Sequence, residues 1–248
     1  MKRGSNTSQA YELLKKKIIT LQIRPGEYLD EKGLMKEPKI GRTPLREAIL
    51  LLKNEKLIEG QPNKPSFVKE ITFKGVKDIM ETLLIVERDV TCLAAQRIGS
   101  QQIGELKIIQ TRIEKAIESR DSWEITSRNL DFHFLISSAS DNEFFSQFHR
   151  ITRNAAERLS YFSVSHEIQG TSSLESHIDS ISREHQELLS ALEAHDVSRT
   201  EALSIEHTKH FQDRILNYLK CDQAIPFQGM TQSQKTKDSP VEVSYESH

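Results

Sequence analysis

The chain has 248 residues, 36% hydrophobic and 28% charged, which suits two ordinary globular domains and leaves no apolar run near the ~20 residues of a bilayer span. Its two cysteines, Cys92 and Cys221, lie far apart and exclude a disulfide framework or a Cys-based zinc motif, while the basic N-terminus lacks the apolar stretch and cleavage site of a secretory leader, so the expected location is the cytoplasm. The net charge of −2 hides an asymmetry: residues 1–73 carry 15 Lys and Arg against 9 Asp and Glu, a net +6, and the remainder carries 19 against 27, a net −8. A basic first part attracts phosphate and an acidic second part does not.

In chain order, Tyr11, Leu14, Ile18, Ile19 and Leu21 recur at helical spacing and predict a first helix capped by Thr7 or Ser8. Pro25-Gly26 turns the chain, Asp30 is the expected cap of a short second helix, and Pro38 ends or distorts it. A third helix places Leu45, Ala48, Ile49 and Leu52 on its buried side and Pro44 in its first turn. Two strands near 57–61 and 66–69 flank a Pro62–Lys64 turn. Helix, turn, helix and a two-stranded wing is the layout of a DNA-reading module, predicted for residues 1–73. From Phe73 no strand is evident, and helical patterns run over 74–98, 101–119, 121–139, 142–163, 174–194 and 196–219. The expected fold is therefore mainly α, a winged helix-turn-helix followed by an all-α bundle of about six helices over 74–222. The polar segment 164–175 predicts a loop, and 223–248, without periodicity, a disordered tail.

A recognition helix carries base- and phosphate-reading side chains near its N-terminus, where Arg42, Thr43 and Arg46 fall. Lys32 is placed to hold the backbone and Lys64, at the wing tip, to enter the minor groove. The partner implied is a double-stranded DNA operator. In the second half, Asn129 and His133 share a helix face at i, i+4, and two further helices supply His185 and His207. Three imidazoles and an oxygen donor suit a divalent ion: zinc, with nickel or manganese compatible. His210, one turn on, competes with His207, and core or surface histidines are the alternative reading.

Residues 11–69 resemble the winged helix-turn-helix of GntR-family transcription regulators through Pro25-Gly26, Leu29, Glu31, Leu34, the run from Arg42 to Ala48, Leu57, Pro62-Asn63-Lys64 and Phe67-Val68. Residues 74–220 resemble the FCD ligand-binding domain of the FadR-type subfamily, through Glu87 with Leu93-Ala94-Ala95, Phe132-His133, Asn142, Glu184-His185, Ala191-Leu192, Asp196 and His207. The resemblance implies that Lys32, Arg42, Thr43, Arg46 and Lys64 contact the operator, and that Asn129, His133, His185 and His207 hold a metal. It also implies a homodimer and a small-molecule effector, most often a carboxylate. Four departures stand out. Lys56 replaces a glycine, which costs ~1 kcal/mol or more if the backbone is left-handed there. Pro65 replaces the wing-tip glycine, and Asn129 replaces the commoner Asp. Leu83 stands where relatives carry an effector-holding Arg, which makes Arg153, and secondarily Arg158, the candidate to hold the carboxylate. The function implied is a metabolite-responsive regulator, a repressor, that is not an enzyme. The alternatives are a DNA-binding protein with a purely structural bundle and a metal-dependent hydrolase using Asp131 or Glu184 as base.

Overall fold

The structure is a computed structural model and describes residues 3–36, 40–61, 64–169 and 174–220. Among these residues nine helices and one two-stranded sheet form. Helices α1 (Arg3–Ile19), α2 (Glu31–Leu34) and α3 (Arg42–Asn54) precede strands β1 (Ile58–Glu59) and β2 (Phe67–Val68). The strands pair antiparallel, Ile58 opposite Val68 and Glu59 opposite Phe67. Leu14, Ile18 and Ile19 of α1 pack with Leu45, Ile49 and Leu52 of α3 and with Leu57, Ile58 and Val68 of the wing. That is the expected winged helix-turn-helix, with its core on the faces the helical spacing marks.

Local chemistry sets the ends of these elements. Asp30 caps α2 as expected, its Oδ1 accepting from Gly33 N at 3.0 Å. A Cβ on Gly33 would press on that carboxylate, so the glycine makes room for the cap. Thr7 and Ser8 are not caps, because α1 already begins at Arg3. Thr7 instead donates to Glu47 Oε2 on α3 at 2.6 Å, a partner 40 residues away that local pattern does not reveal. Leu21, counted with the first helix, lies beyond its end at Ile19 with a φ of 61°. Pro38 and the Pro62-Asn63 part of the wing turn lie outside the described residues.

Six further helices follow: α4 (Phe73–Arg97), α5 (Ser100–Glu118), α6 (Ser122–Ala139), α7 (Glu143–Gln169), α8 (Leu174–Glu193) and α9 (Val197–Lys220). Thr72, Asp121 and Asn142 accept from backbone N–H groups at the starts of α4, α6 and α7, three side-chain caps that satisfy amides the helices leave open. α4 lies against α6, α7 and α9, and this packing brings the candidate site residues together. One expectation fails here: the segment 164–175 is not a loop throughout, since α7 runs on to Gln169. Val164 is buried and Ile168, four residues on, packs with it against Ala116, Ile125 and Ile178, and that apolar pair outweighs the polar composition. The predicted disordered tail, 223–248, lies outside the described residues.

The two halves are joined by a buried ion pair. Lys15 Nζ on α1 sits 2.9 Å from Glu157 Oε2 on α7 and donates to Asn154 Oδ1 at 3.2 Å. Burial pushes the Glu157 carboxyl up to about 7, against the pull of Lys15. Trp123 and Tyr161 of the helical part also pack against the N-terminal core, and Lys16 Nζ lies 5.0 Å over the Trp123 ring.

Lys56 holds a φ of 62°, a left-handed backbone in which a glycine would be unstrained. A side chain there costs ~1–2 kcal/mol, while glycine gives back ~0.5–1 kcal/mol in unfolded-state entropy. Lys56→Gly is therefore expected to stabilise the protein by about 0.5–1 kcal/mol in urea unfolding, and a loss of stability would contradict this backbone assignment.

Candidate DNA-reading surface and buried histidine site

α3 separates its two faces cleanly. Leu45, Ala48, Ile49 and Leu52 are buried, and Arg42, Thr43 and Arg46 are exposed on its first turns. Gly41 precedes them as an N-cap without a side-chain bond, leaving the first amide groups of α3 open to a phosphate. Lys32 on α2 and Lys64 by the wing turn are exposed as well. Four exposed cations and a hydroxyl, without other side-chain partners among the described residues, have on this basic half the chemistry of a surface that binds a polyanion.

The helical half is organised around Glu87 of α4, 2% exposed. Its Oε1 lies 2.7 Å from His133 Nδ1 of α6 and its Oε2 2.7 Å from His149 Nε2 of α7. Arg153, one turn along α7 from His149, grips both oxygens, through Nε at 2.8 Å and Nη2 at 2.7 Å. Burial alone would raise the Glu87 carboxyl, yet Arg153, His133 and His149 together hold it well below the usual range. The ionised carboxylate requires the proton of His133 to sit on Nδ1. Arg153 Nη2, 2.9 Å from that same nitrogen, is therefore a close neighbour and not its donor.

With Nδ1 committed, His133 Nε2 faces His207, whose Nε2 is 3.3 Å away. His207 is oriented in the same manner, its Nδ1 2.6 Å from Glu184 Oε2. His210 Nδ1 takes the other oxygen of Glu184 at 2.8 Å, which puts His210 behind His207. His185 completes a triangle with ring centroids 5.3 Å from His133 and 5.0 Å from His207. It stacks on Phe132 at 4.3 Å, and neither of its ring nitrogens has a hydrogen-bond partner although it is fully buried. One nitrogen from each of the three rings falls within 4.8 Å of the others. Burial lowers His133 to about 3 and lowers His185 and His207 as well, so all three are neutral, the form that ligates a cation.

Asn129 is half-buried and lines, with His207, Arg153 and Arg214, a cavity of about 20 Å³, room for one water-sized species. Arg153 thus reaches the site, but Glu87 already occupies its guanidinium. Arg158 points elsewhere, donating from Nη1 to Lys69 O at 2.7 Å. His149 was not singled out from sequence. Its signal is a polar side chain at i−4 from Arg153 on a helix face that also carries the buried Ala156.

Residues 78–210 match the FCD domain family, and residues 6–68 match the bacterial regulatory proteins of the gntR family. The HTH-type transcriptional repressor RspR of Escherichia coli K12 is 25% identical over 209 residues, 84% of this chain and 87% of that protein. The Nta operon transcriptional regulator of Aminobacter aminovorans is 28% identical over 148 residues, 58% of this chain and 66% of that protein. The solved structure of E. coli McbR/YncC shares the fold, with a TM-score of 0.72 at 21% identity over 86% of this chain and 98% of that one.

Because Glu87 is held below its ordinary pKa of 4.5, its contribution to stability is complete above that pH and is lost as pH falls through the depressed value. Glu87→Gln leaves Arg153 buried without its counter-charge and is expected to cost about 3–5 kcal/mol near pH 7. The cost should shrink progressively below pH 4.5. Urea unfolding across that pH range checks it, and a pH-independent difference would overturn the ionised assignment.

Proposed function

The chain belongs to the gntR family of bacterial regulatory proteins and carries an FCD domain, and from that premise we propose that it is a repressor that reads a palindromic operator as a homodimer and is controlled by a metal-anchored metabolite. It is a transcription regulator and not an enzyme. The domain division proposed is DNA reading by residues 1–73 and effector binding and dimerisation by 74–222. Arg42, Thr43 and Arg46 would enter the major groove, Lys32 would hold phosphate and Lys64 the minor groove. The relatives named as repressors, RspR and the Bacillus subtilis gluconate operon repressor, support that sign of regulation. Exposed Ile85 on α4 and Phe144 on α7, 58% and 73% accessible, are apolar surface that a partner subunit would cover.

The observation that carries the metal reading is His185, fully buried with both ring nitrogens unpartnered inside a triangle of neutral imidazoles. Such a group costs ~1–3 kcal/mol unless something engages it. The donor set fits zinc, with nickel or manganese as alternatives: His133, His185 and His207 would hold the ion, and Asn129 would add a neutral oxygen. Glu87 and Glu184 orient two of the imidazoles, a common arrangement behind metal-bound histidines. A purely structural bundle leaves His185 without a reason. A hydrolytic reading lacks a base, since Asp131 is taken by Arg128 at 2.5 Å and Glu184 by two histidines.

Arg153 and Arg214 beside His207 support a small carboxylate as effector, anchored at the metal. The cavity of about 20 Å³ is far below the ~300–1,000 Å³ of ordinary ligand sites. Entry would therefore have to displace α6, α7 or α9. α7 carries Arg153 and, four residues on, Glu157, which grips Lys15 of α1, so displacement of α7 reaches the DNA-reading half directly. A differential affinity of ~1–3 kcal/mol between two arrangements would change operator affinity roughly 5- to 150-fold.

Two measurements test this reading. Metal-free protein titrated with zinc is expected to bind one ion per chain and melt higher, both effects being lost in His185→Leu; zinc binding equal in that variant would remove the metal site. Arg46→Ala is expected to weaken binding to an operator selected in vitro by ~1–3 kcal/mol in fluorescence anisotropy, and an unchanged affinity would sink the recognition-helix assignment.

A further inference from the structure

A second pocket, of about 690 Å³, lies where the wing and the 69–72 segment meet α4 and α7. None of the clustered histidines lines it. Its walls are mostly apolar, with Ile71, Ile79, Phe148, Ile151 and Leu159 among them. One charged side chain in its lining is buried, Arg158 of α7, at 4% exposure. Arg158 Nη1 donates to Lys69 O, while its Nε has no hydrogen-bond partner.

Arg158 differs in this from Arg153, five residues earlier. Arg153 is neutralised by Glu87, whereas Arg158 has no carboxylate within ion-pair distance among the described residues. Burial lowers it to about 10, with no acidic neighbour to offset the effect. The acidic residues at the pocket rim are occupied or turned to solvent: Glu59 pairs with Lys69 at 3.4 Å, Asp78 pairs with Lys74 at 2.6 Å, and Glu70 is exposed. A guanidinium buried without a counter-charge is costly unless an anion compensates it. An apolar enclosure of this volume with one buried polar anchor has the form of a small-molecule site.

We propose that this pocket is a second ligand site, taking an amphipathic monoanion whose carboxylate pairs with Arg158 and whose apolar body lies against Ile71, Ile79 and Leu159. The ligand would touch the wing through Phe67 and Lys69 and the helical half through α4 and α7, so its occupancy would tie the two together. The site does not depend on the histidine cluster.

The test is calorimetric titration of the full chain with octanoate, a medium-chain carboxylate, in buffer containing a chelator, with octanol as the neutral control. Octanoate is expected to bind once per chain and octanol far more weakly. Arg158→Leu should weaken octanoate binding roughly tenfold to a hundredfold, the range of a charge-assisted hydrogen bond. The leucine removes an uncompensated buried charge, so a folded variant is expected, with a melting transition at or above the original. Ala155→Phe, which fills the pocket and leaves Arg158 in place, should weaken binding as well. No octanoate binding, equal binding in both variants, or binding that the chelator abolishes would each overturn the proposal.

Discussion

A single carboxylate determines where the polar groups of the helical core sit. Glu87 projects from α4 into an interior where an unpaired charge would be expelled or neutralised, and it remains ionised because Arg153 and two imidazoles surround it. These bonds tie three helices, α4, α6 and α7, to one pair of oxygen atoms. They also fix a tautomer. Once the His133 Nδ1–H donates a hydrogen bond to the ionised Glu87, the Nε2 lone pair is the one that faces His207. The triangle of imidazoles thus depends on a group that is not a member of it, and Glu184 repeats the device behind His207.

α7 carries that arrangement to the rest of the molecule. His149, Arg153 and Glu157 recur every four residues and share one face, the first two turned to Glu87 and the third to Lys15 on α1. From His149 to Glu157 the helix rises only ~12 Å. The Lys15–Glu157 pair is buried on both sides, and burial works against the ionised carboxyl, so the contact is sensitive to small shifts of α7. A single helix with the candidate site at one point and a buried ion pair two turns away would need no longer chain of intermediates to connect them.

The parts of this structure that were legible in the sequence are those governed by local rules. Asp30 as a cap, the buried face of α3 and the six helical patterns follow from spacing and capping, which operate within a few residues. Asn129 and His133 share a face for the same reason. What was not legible depends on partners distant in sequence. Thr7 satisfies Glu47 and does not cap its own helix, and Ile168 extends α7 because Ala116 and Ile178 wait for it. His149 belongs to the site only because α4 delivers Glu87 to it across 62 residues. Arg153 holds Glu87, a pairing that no spacing along α7 announces.

The two arginines of α7 define opposite situations within one turn and a half of helix. Arg153 is compensated and stands beside a cavity of about 20 Å³, so a ligand there must force helices apart. Arg158 is uncompensated and opens on a pocket of about 690 Å³, so a ligand there needs no expansion and adds a missing charge. The first event would loosen α7 and the second would fasten it to the wing. If both act on the same helix, their binding free energies would be coupled, and coupling is reciprocal: the factor by which one ligand changes the other's affinity is the factor by which its own is changed in return. The sign follows from geometry. A ligand that clamps α7 to the wing resists the displacement that the smaller cavity requires, so the two occupancies should be mutually antagonistic.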